Sequence, residues 1–262
     1  MDLHLSGRIA VVTGAGKGIG LAVTRALAGE GARVVAGAHS VTPELAELAE
    51  RAPVRPVPAD LATPEGPARL IDAAIAGFGG LDILVNNVGA VTPRTGGFLS
   101  VADEDWTRTI TLNFLAAVRA TRAAVPHLIE RGAGSIVTIA SVNASLPDPL
   151  VVDYSAAKAA LLNFSKSLSK ELGPHGIRVN TISPGPVSTG LWLGEHGVAA
   201  AVGQATSVDP ATVAKQAAGA AATGRFTEPQ EVADLVLLLA GDRAANITGT
   251  DILIDGGMTP TL

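Results

Sequence analysis

A tyrosine and a lysine four positions apart are the pair of side chains best suited to chemistry in this sequence. Tyr154 begins the segment Tyr154-Ser155-Ala156-Ala157-Lys158, and it is the only tyrosine among 262 residues. On a helix, positions i and i+4 lie on one face, so the phenol and the ammonium are predicted to be neighbours. A free phenol titrates near pH ~10, and an adjacent cation lowers such a pKa by about one to three units. The spacing therefore fits general acid–base catalysis near neutral pH.

The same spacing also fits a structural interpretation, in which a half-buried tyrosine lies beside a solvated lysine on an amphipathic helix. The secondary-structure elements that position the pair decide between the catalytic and the structural interpretation. Short apolar runs recur along the chain and are continuous, as expected of strands covered on both faces of a parallel sheet. The predicted strands are residues 9–13, 33–36, 54–58, 83–85, 135–139, 178–182 and 251–254.

Longer helical patterns separate these runs. Strand–helix alternation repeated this often predicts one doubly wound (Rossmann-type) α/β domain over residues 1–262, with a seven-stranded parallel sheet and helices on both faces. Residues 190–225 are the least regular, and their composition predicts one or two short helices on a mobile connection. Such a segment is either a lid over an active site or a surface excursion. The predicted helices are residues 18–29, 43–52, 64–78, 103–131, 153–172 and 229–240.

Composition excludes several classes of protein. A chain that is 47% hydrophobic and 16% charged can build a large core and is not disordered. It has no cysteine, which excludes disulfides, thiolate catalysis and cysteine metal sites, and we predict no metal site. The net charge of −5 gives no reason to expect nucleic acid as a partner. With no signal peptide in residues 1–8 and no apolar span, we expect a soluble cytoplasmic protein without membrane contact.

A glycine-rich loop, residues 13–20, follows the first predicted strand, and a predicted helix begins inside it. Glycines let the backbone approach a phosphate closely, while a helix N-terminus offers free N–H groups and partial positive charge. The pattern is Gly-x-x-x-Gly-x-Gly rather than the more common Gly-x-Gly-x-x-Gly, but its position between strand and helix predicts a dinucleotide site. The candidate contacts are Gly14, Gly16, Lys17, Gly18, Ile19 and Gly20.

The end of the second strand bears on the choice between NAD and NADP. An acidic residue there would bind the ribose hydroxyls and repel a 2′-phosphate. The chain instead continues Gly37-Ala38-His39-Ser40, without a carboxylate, and Lys17 supplies a cation nearby. These features favour NADP(H) over NAD(H), although His39 also fits an ordinary surface histidine.

With the glycine loop and the Tyr154/Lys158 pair together, the chain resembles the classical short-chain dehydrogenases/reductases over essentially its whole length. Asn86-Asn87-Val88-Gly89 is similar to the family's Asn-Asn-Ala-Gly element, with Val88 where alanine is usual. Residues 184–189 are similar to the segment that holds the nicotinamide carboxamide, and the closing segments 247–249 and 255–257 also fit. The resemblance implies further cofactor contacts from Asp60, Leu61, Asn87, Gly89, Tyr154, Lys158, Pro184, Gly185, Val187 and Thr189.

The resemblance also implies a catalytic set of Asn113, Ser141, Tyr154 and Lys158. Ser141 would donate a hydrogen bond to the substrate oxygen, stabilising charge as it develops. Tyr154 would be the general acid in reduction and the general base in oxidation. Lys158 would lower the pKa of the phenol and hold a ribose hydroxyl. Asn113 would interrupt its helix and anchor a water that feeds protons to the lysine.

The substrate pocket is expected to be apolar, formed by residues 143–150 and 191–196. Its predicted lining is Asn143, Leu146, Leu191 and Trp192, which suits a lipophilic ketone or an acyl chain, whereas His196 is expected at the surface. Lys17, residues 37–40 and residues 164–168 resemble the 3-oxoacyl-carrier-protein reductase branch, which implies a 3-oxoacyl thioester. Arg119, Arg122 and Arg131 fit either a docking patch for an acyl carrier protein or a solvated helix face.

The family resemblance also implies a homotetramer or homodimer built on the two long helices. Candidate interface residues are Ala116, Ala120, Ala160, Leu161, Phe164 and Leu168, with a second contact near the C-terminus. The leading hypothesis is an NADPH-dependent ketoreductase. Two alternatives remain open: an NAD(P)-dependent alcohol dehydrogenase acting in the oxidative direction, and a dinucleotide-binding regulator without turnover.

Overall fold

Seven parallel strands form one sheet at the centre of the computed structural model, which describes residues 1–260. The strand order is β3-β2-β1-β4-β5-β6-β7, so the chain reverses direction across the sheet between β1 and β4. Ligands of open α/β sheets bind at such a reversal, outside the carboxyl ends of the strands. The strands are β1 (Ile9–Thr13), β2 (Arg33–Ala38), β3 (Val54–Pro58), β4 (Ile83–Asn86), β5 (Gly134–Ile139), β6 (Ile177–Pro184) and β7 (Asp251–Ile254).

The central strands are apolar throughout because both of their faces are covered. In β1, Ala10 and Val12 belong to one buried cluster, while Ile9 and Val11 belong to the cluster on the opposite face. Successive side chains of a strand point to opposite faces, so a strand buried on both sides gives a continuous apolar run. This is why the strand cores were predictable from the sequence.

Helices cover both faces of the sheet. Helices α1, α2 and α10 contribute to the first cluster, and α3, α5 and α6 to the second. The helices are α1 (Gly18–Gly29), α2 (Pro43–Arg51), α3 (Gly66–Phe78), α4 (Asp103–Ile110), α5 (Ala116–Arg131), α6 (Val152–Leu172), α7 (Gly190–Leu193), α8 (Val198–Thr206), α9 (Pro210–Gly219) and α10 (Pro229–Ala240). The predicted fold class is therefore confirmed, with element ends that differ by one to two residues in most cases.

Two predictions about helices need correction. The helix predicted from its pattern over residues 103–131 is interrupted by a π-helical turn, Thr111–Leu115, which separates α4 from α5 at Asn113, where the family resemblance implies an interruption. Residues 190–225 contain three helices rather than one or two. The additional helix, α9, begins at Pro210 because Asp209 caps it, its carboxylate accepting a hydrogen bond from the Thr212 N–H.

Within residues 1–260, no helix combines the length and the apolar character needed to cross a bilayer. The longest helix, α6, spans 21 residues and carries lysines and serines along its length.

Candidate functional site

A cleft of about 1000 Å³ lies at the carboxyl ends of the central strands. One end is formed by the glycine loop and the ends of β2 and β3, and the other by the 190–225 segment. Between them lie the segments that follow β4, β5 and β6. Every cofactor contact expected from the sequence lines this cleft, namely Gly14, Gly16, Lys17, Gly18, Ile19, Gly20, His39, Ser40, Asp60, Leu61, Asn87, Gly89, Tyr154, Lys158, Pro184, Gly185, Val187 and Thr189.

Hydrogen bonds with the segment that follows β4 hold the glycine loop in place. The Thr13 hydroxyl accepts hydrogen bonds from the N–H groups of Asn87, at 2.9 Å, and Val88, at 3.1 Å. The Asn87 amide in turn donates to the carbonyls of Thr13 and Gly14. A Cβ atom at position 20 would overlap the Gly14 carbonyl oxygen, so only glycine fits there. The loop is thus a close-fitting backbone surface, and α1 begins within it, as a bound dinucleotide phosphate requires.

The side chains at the far end of this surface are polar, and they include one lysine and one carboxylate. Lys17, His39 and Ser40 are exposed and line the cleft together. The Asp60 carboxylate nearby accepts a hydrogen bond from the Ala62 N–H, at 2.9 Å, within its own turn. Thr42 donates to the Gly16 carbonyl, at 2.8 Å, and also caps α2, which fixes the loop after β2 against the glycine loop.

The structure brings three of the four candidate catalytic residues to the cleft surface. Ser141 follows β5 and lines the cleft with Tyr154, and its hydroxyl donates to the Asn143 side-chain oxygen at 3.3 Å. Lys158 is buried, lies one turn after Tyr154 on α6, and donates to the Ile139 carbonyl at 2.8 Å. The spacing of the tyrosine and the lysine therefore does place them side by side, as predicted.

Asn113 lies behind the cleft wall rather than in it. Its side chain is buried in the π-helical turn, where it accepts from the Ala90 N–H at 3.1 Å and donates to the Ala90 and Thr109 carbonyls. A Cβ at Gly89 would lie 2.9 Å from the Asn113 oxygen and 3.5 Å from the Lys158 nitrogen. Gly89 therefore permits the asparagine and the lysine to approach the same piece of backbone. π-helical turns of this kind often occur at functional sites.

The pKa values of the tyrosine and the lysine move apart in this structure. Burial raises the pKa of Tyr154 from 10.0 to about 12, and the Ser141 hydroxyl opposes that rise. Burial lowers the pKa of Lys158 from 10.5 to about 8. The net shift of the phenol pKa in the chain alone is therefore upward, with burial as its largest cause, and the lowering by Lys158 stays a prediction. The lysine nitrogen lies 5.6 Å from the ring centre and donates to the Ile139 carbonyl.

The substrate end of the cleft agrees only in part with the predicted lining. Asn143, Leu191 and Trp192 line it, whereas Leu146 does not and is instead exposed, with its carbonyl accepting from the Asn143 amide. His196 is exposed, as expected. Leu150, within the predicted range 143–150, also lines it, but sequence reasoning missed other apolar residues that are distant in the chain and gather at this end: Val91, Pro93, Val198, Val202, Val213 and Met258.

The two ends of the 190–225 segment are joined to each other. The Ser188 N–H donates to the Thr227 carbonyl, and the Thr227 N–H donates to the Pro186 carbonyl, each at 2.9 Å. Trp192 packs edge-on against Phe226, with ring centres 5.4 Å apart. The segment therefore begins and ends at the same place, beside the carboxyl end of β6. Its helices α8 and α9 line the cleft with Val198, Val202 and Val213.

Two expected surface features are only partly available at the surface of the single chain. Ala116, Ala120 and Leu161 are at most 2% exposed, because they pack inside the chain, so they cannot form an interface stripe. Arg131 pairs with the buried carboxylate of Asp82, and Arg119 donates to the Ala62 carbonyl. Two of the three arginines thus have partners within the chain, whereas Arg122 is exposed, and the docking-patch interpretation stays a prediction.

Comparison with known proteins agrees with this geometry. A family model described as enoyl-(acyl carrier protein) reductase matches residues 14–259. The chain is 32% identical to a 3-oxoacyl-[acyl-carrier-protein] reductase of Thermotoga maritima, over 98% of this chain and 99% of that protein. It is 36% identical to a D-threitol dehydrogenase of Mycolicibacterium smegmatis, over 98% and 95% respectively. A solved L-sorbose reductase of Gluconobacter frateurii, complexed with NADPH and L-sorbose, matches with a TM-score of 0.91 and 37% identity over 100% of both chains.

These relatives are reductases and dehydrogenases that interconvert a carbonyl and an alcohol group, and the likeness extends over the full length of each. The glycine loop and the cleft fit a nicotinamide dinucleotide. This chain belongs to the classical short-chain dehydrogenase/reductase family and is an NAD(P)-dependent oxidoreductase of that family.

Proposed function

We propose that the protein is an NADPH-dependent carbonyl reductase acting on an apolar ketone or a 3-oxoacyl thioester. One observation carries the proposal. The Tyr154 and Ser141 side chains both line a cleft whose one end is a close-fitting glycine loop and whose other end is largely apolar. This arrangement offers proton donors to a carbonyl oxygen held beside a dinucleotide.

Each candidate catalytic residue has its own role in the proposed reduction. The Ser141 hydroxyl donates a hydrogen bond to the carbonyl oxygen and stabilises the negative charge that develops there. When bound, the reduced nicotinamide supplies the hydride. The Tyr154 phenol gives its proton to the same oxygen as the alcohol forms. Lys158 holds its ammonium beside the phenol, where it stabilises the tyrosinate that results, and Asn113 fixes the backbone at Ala90 behind the lysine.

The preference for NADPH rests on the charge of the cofactor end of the cleft. Lys17 can pair with a 2′-phosphate, and His39 and Ser40 can donate hydrogen bonds to it. The Asp60 carboxylate is engaged by the Ala62 N–H. The similar L-sorbose reductase was solved with NADPH, which also favours this choice.

The substrate class rests on the apolar lining near Tyr154. Leu191 and Trp192 from α7, with Val198 and Val202 from α8, offer apolar contacts to a chain or ring attached to the carbonyl. The Thermotoga maritima relative is named for a 3-oxoacyl substrate. We further propose that residues 190–225 act as the lid of this pocket, in a single domain spanning residues 1–262.

Measuring NADPH oxidation with a panel of carbonyl compounds tests the proposal. The panel holds an apolar cyclic ketone, a 3-oxoacyl thioester and a ketose, each also measured with NADH. Consumption of NADPH with the ketone or the thioester, at a higher kcat/KM than with the ketose, is expected. Cofactor binding without consumption in any of these assays would instead support a regulator without turnover.

The D-threitol dehydrogenase relative favours a second candidate, an alcohol dehydrogenase acting in the oxidative direction. Assaying the corresponding alcohols with NADP⁺ and NAD⁺ distinguishes the two. A kcat/KM for polyol oxidation well above that for ketone reduction would support this second candidate.

The proposal also includes a cytoplasmic homotetramer or homodimer, which rests on the family resemblance. Within the single chain, Phe164 packs edge-on against Phe114, and Leu168 packs against the second core cluster. Sedimentation of the purified protein tests the assembly, and a monomer at assay concentration would reject it.

A further inference from the structure

A buried arginine–aspartate pair lies directly beside the tyrosine. Arg94, in the loop after β4, directs its guanidinium at Asp153 on α6, and both its Nε and one terminal nitrogen donate to the same carboxylate oxygen. Its other terminal nitrogen lies 3.3 Å from the Asp105 carboxylate on α4. The side chains of Arg94 and Asp153 are 11% and 2% exposed, so the pair is largely desolvated. Arg94 therefore ties three separate elements together.

Asp153 passes this restraint to Tyr154. Its second oxygen accepts a hydrogen bond from the Tyr154 N–H at 3.0 Å, in the first turn of α6. Burial opposes ionisation, but hydrogen bonds from Arg94 and Thr109 hold the pKa of the Asp153 carboxyl below its usual range. The carboxylate thus fixes the backbone that carries the phenol.

The same cluster reaches Asn113. The Thr109 hydroxyl donates to Asp153 at 2.7 Å, and the Thr109 carbonyl accepts from the Asn113 amide at 3.0 Å. The Arg94 backbone N–H also donates to the carbonyl of Leu150, which lines the cleft, as does the neighbouring Pro93. One set of polar contacts therefore connects the substrate wall, the tyrosine and the asparagine.

We infer that Arg94 and Asp153 are positioning residues for the carbonyl reduction proposed above, holding the Tyr154 phenol and the loop after β4 in the arrangement that reaction needs. The expected loss of kcat rests on that proposed function, whereas the expected displacement of the Tyr154 side chain does not. Small displacements of reacting groups matter, because misplacement by about 1 Å can cost on the order of 10²-fold in rate.

A second arginine that pairs with a buried aspartate in the same chain offers a control. Arg131 contacts Asp82 at 2.8 Å, and the Asp82 side chain is only 4% exposed. Asp82 precedes β4, so this pair lies at the amino ends of the strands, at the opposite edge of the sheet from Tyr154. The Arg131 side chain is 43% exposed, so Arg131→Met removes an ion pair to a buried carboxylate without touching the cleft.

The lone tyrosine provides a direct probe. Replacing tyrosine by fluorotyrosine labels Tyr154 alone, so fluorine NMR gives one resonance for this side chain. The spectra of wild type, Arg94→Met, Arg94→Lys and Arg131→Met are recorded with steady-state kinetics and thermal unfolding of the unlabelled proteins. Arg94→Lys keeps the charge but cannot donate two hydrogen bonds to the Asp153 carboxylate, so its shift of the resonance and its loss of kcat should be intermediate. This variant replaces Arg94→Met in the comparison if Arg94→Met does not fold.

In Arg94→Met the resonance is expected to shift or split, while kcat falls roughly 10- to 100-fold and the KM for NADPH changes less than about threefold. Arg131→Met is expected to lower the melting temperature but to keep the wild-type resonance and kcat. An Arg94→Met resonance that coincides with wild type, an unchanged kcat, or an equal loss of kcat in Arg131→Met would overturn the inference. If wild type turns over no carbonyl compound, the proposed function fails, and the resonance alone then decides the positioning role.

Discussion

The Lys158 nitrogen lies 5.6 Å from the centre of the Tyr154 ring and donates its hydrogen bond to the Ile139 carbonyl. The lysine therefore lies beside the phenol without pairing with its oxygen. With burial raising the pKa of Tyr154 to about 12, the phenol keeps its proton at neutral pH. A protonated phenol is ready to act as an acid, which suits reduction of a carbonyl better than oxidation of an alcohol.

The buried lysine predicts a pH-dependent cost to stability. Burial lowers the pKa of Lys158 from 10.5 to about 8, so between these pH values the unfolded chain binds more protons than the folded one. The free energy of unfolding of the wild type should therefore rise with pH across that window. Lys158→Met removes this dependence and should stabilise the protein near pH 7 by up to about 3 kcal/mol.

Urea unfolding of the wild type and of Lys158→Met at several pH values from 7 to about 10 measures this difference. The gap between the two proteins is expected to shrink as the pH rises. Parallel plots of the free energy of unfolding against pH for the two proteins would mean that burial of Lys158 does not cause the pH dependence.

Lys17 is expected to discriminate between the two cofactors. Lys17→Glu replaces attraction for a 2′-phosphate by repulsion, so the KM for NADPH should rise by roughly tenfold or more, and that for NADH by less than about threefold. Arg25→Glu makes the same charge change on an exposed position of α1 that does not line the cleft. This control should leave both KM values near wild type. An equal rise of the KM values for NADPH and NADH in Lys17→Glu would mean that Lys17 does not recognise the 2′-phosphate.

Two leucines with similar exposure test the substrate end of the cleft. Leu191 is 39% exposed and lines the cleft, whereas Leu146 is 36% exposed and does not. Leu191→Ala should raise the KM for an apolar ketone roughly three- to tenfold, because truncation removes apolar contact area. Leu146→Ala should leave it unchanged. The assignment of this pocket would be contradicted by equal effects of the two substitutions.

The sequence predicted most strongly those features that depend on local pattern. The strands were visible because both faces of the sheet are buried, as the two clusters on either side of β1 show. The glycine loop and the spacing of Tyr154 and Lys158 were visible because each depends on a few consecutive residues. The interruption at Asn113 was expected only from the family resemblance, because one asparagine within a helical pattern does not by itself predict a π-helical turn.

Features that depend on distant residues were not visible. Arg94 and Asp153 are 59 positions apart, and only the packing of the loop after β4 against α6 brings them together. The prediction for Leu146 failed because proximity in sequence to Ser141 does not decide which way a turn faces. Ala116, Ala120 and Leu161 were expected at an interface, but a helix that packs on both the sheet and other helices buries a wider stripe. The pKa of Tyr154 depends on burial, which the sequence pattern does not give.

Comparison of Tyr154→Phe with the wild type, in NADPH-dependent reduction of the best carbonyl substrate, tests the central claim most directly. Only the transferable proton is removed, so kcat should fall on the order of 10²- to 10⁴-fold while the dissociation constant for NADPH stays near wild type. Retention of more than about a tenth of the wild-type kcat would contradict the assignment of Tyr154 as the general acid.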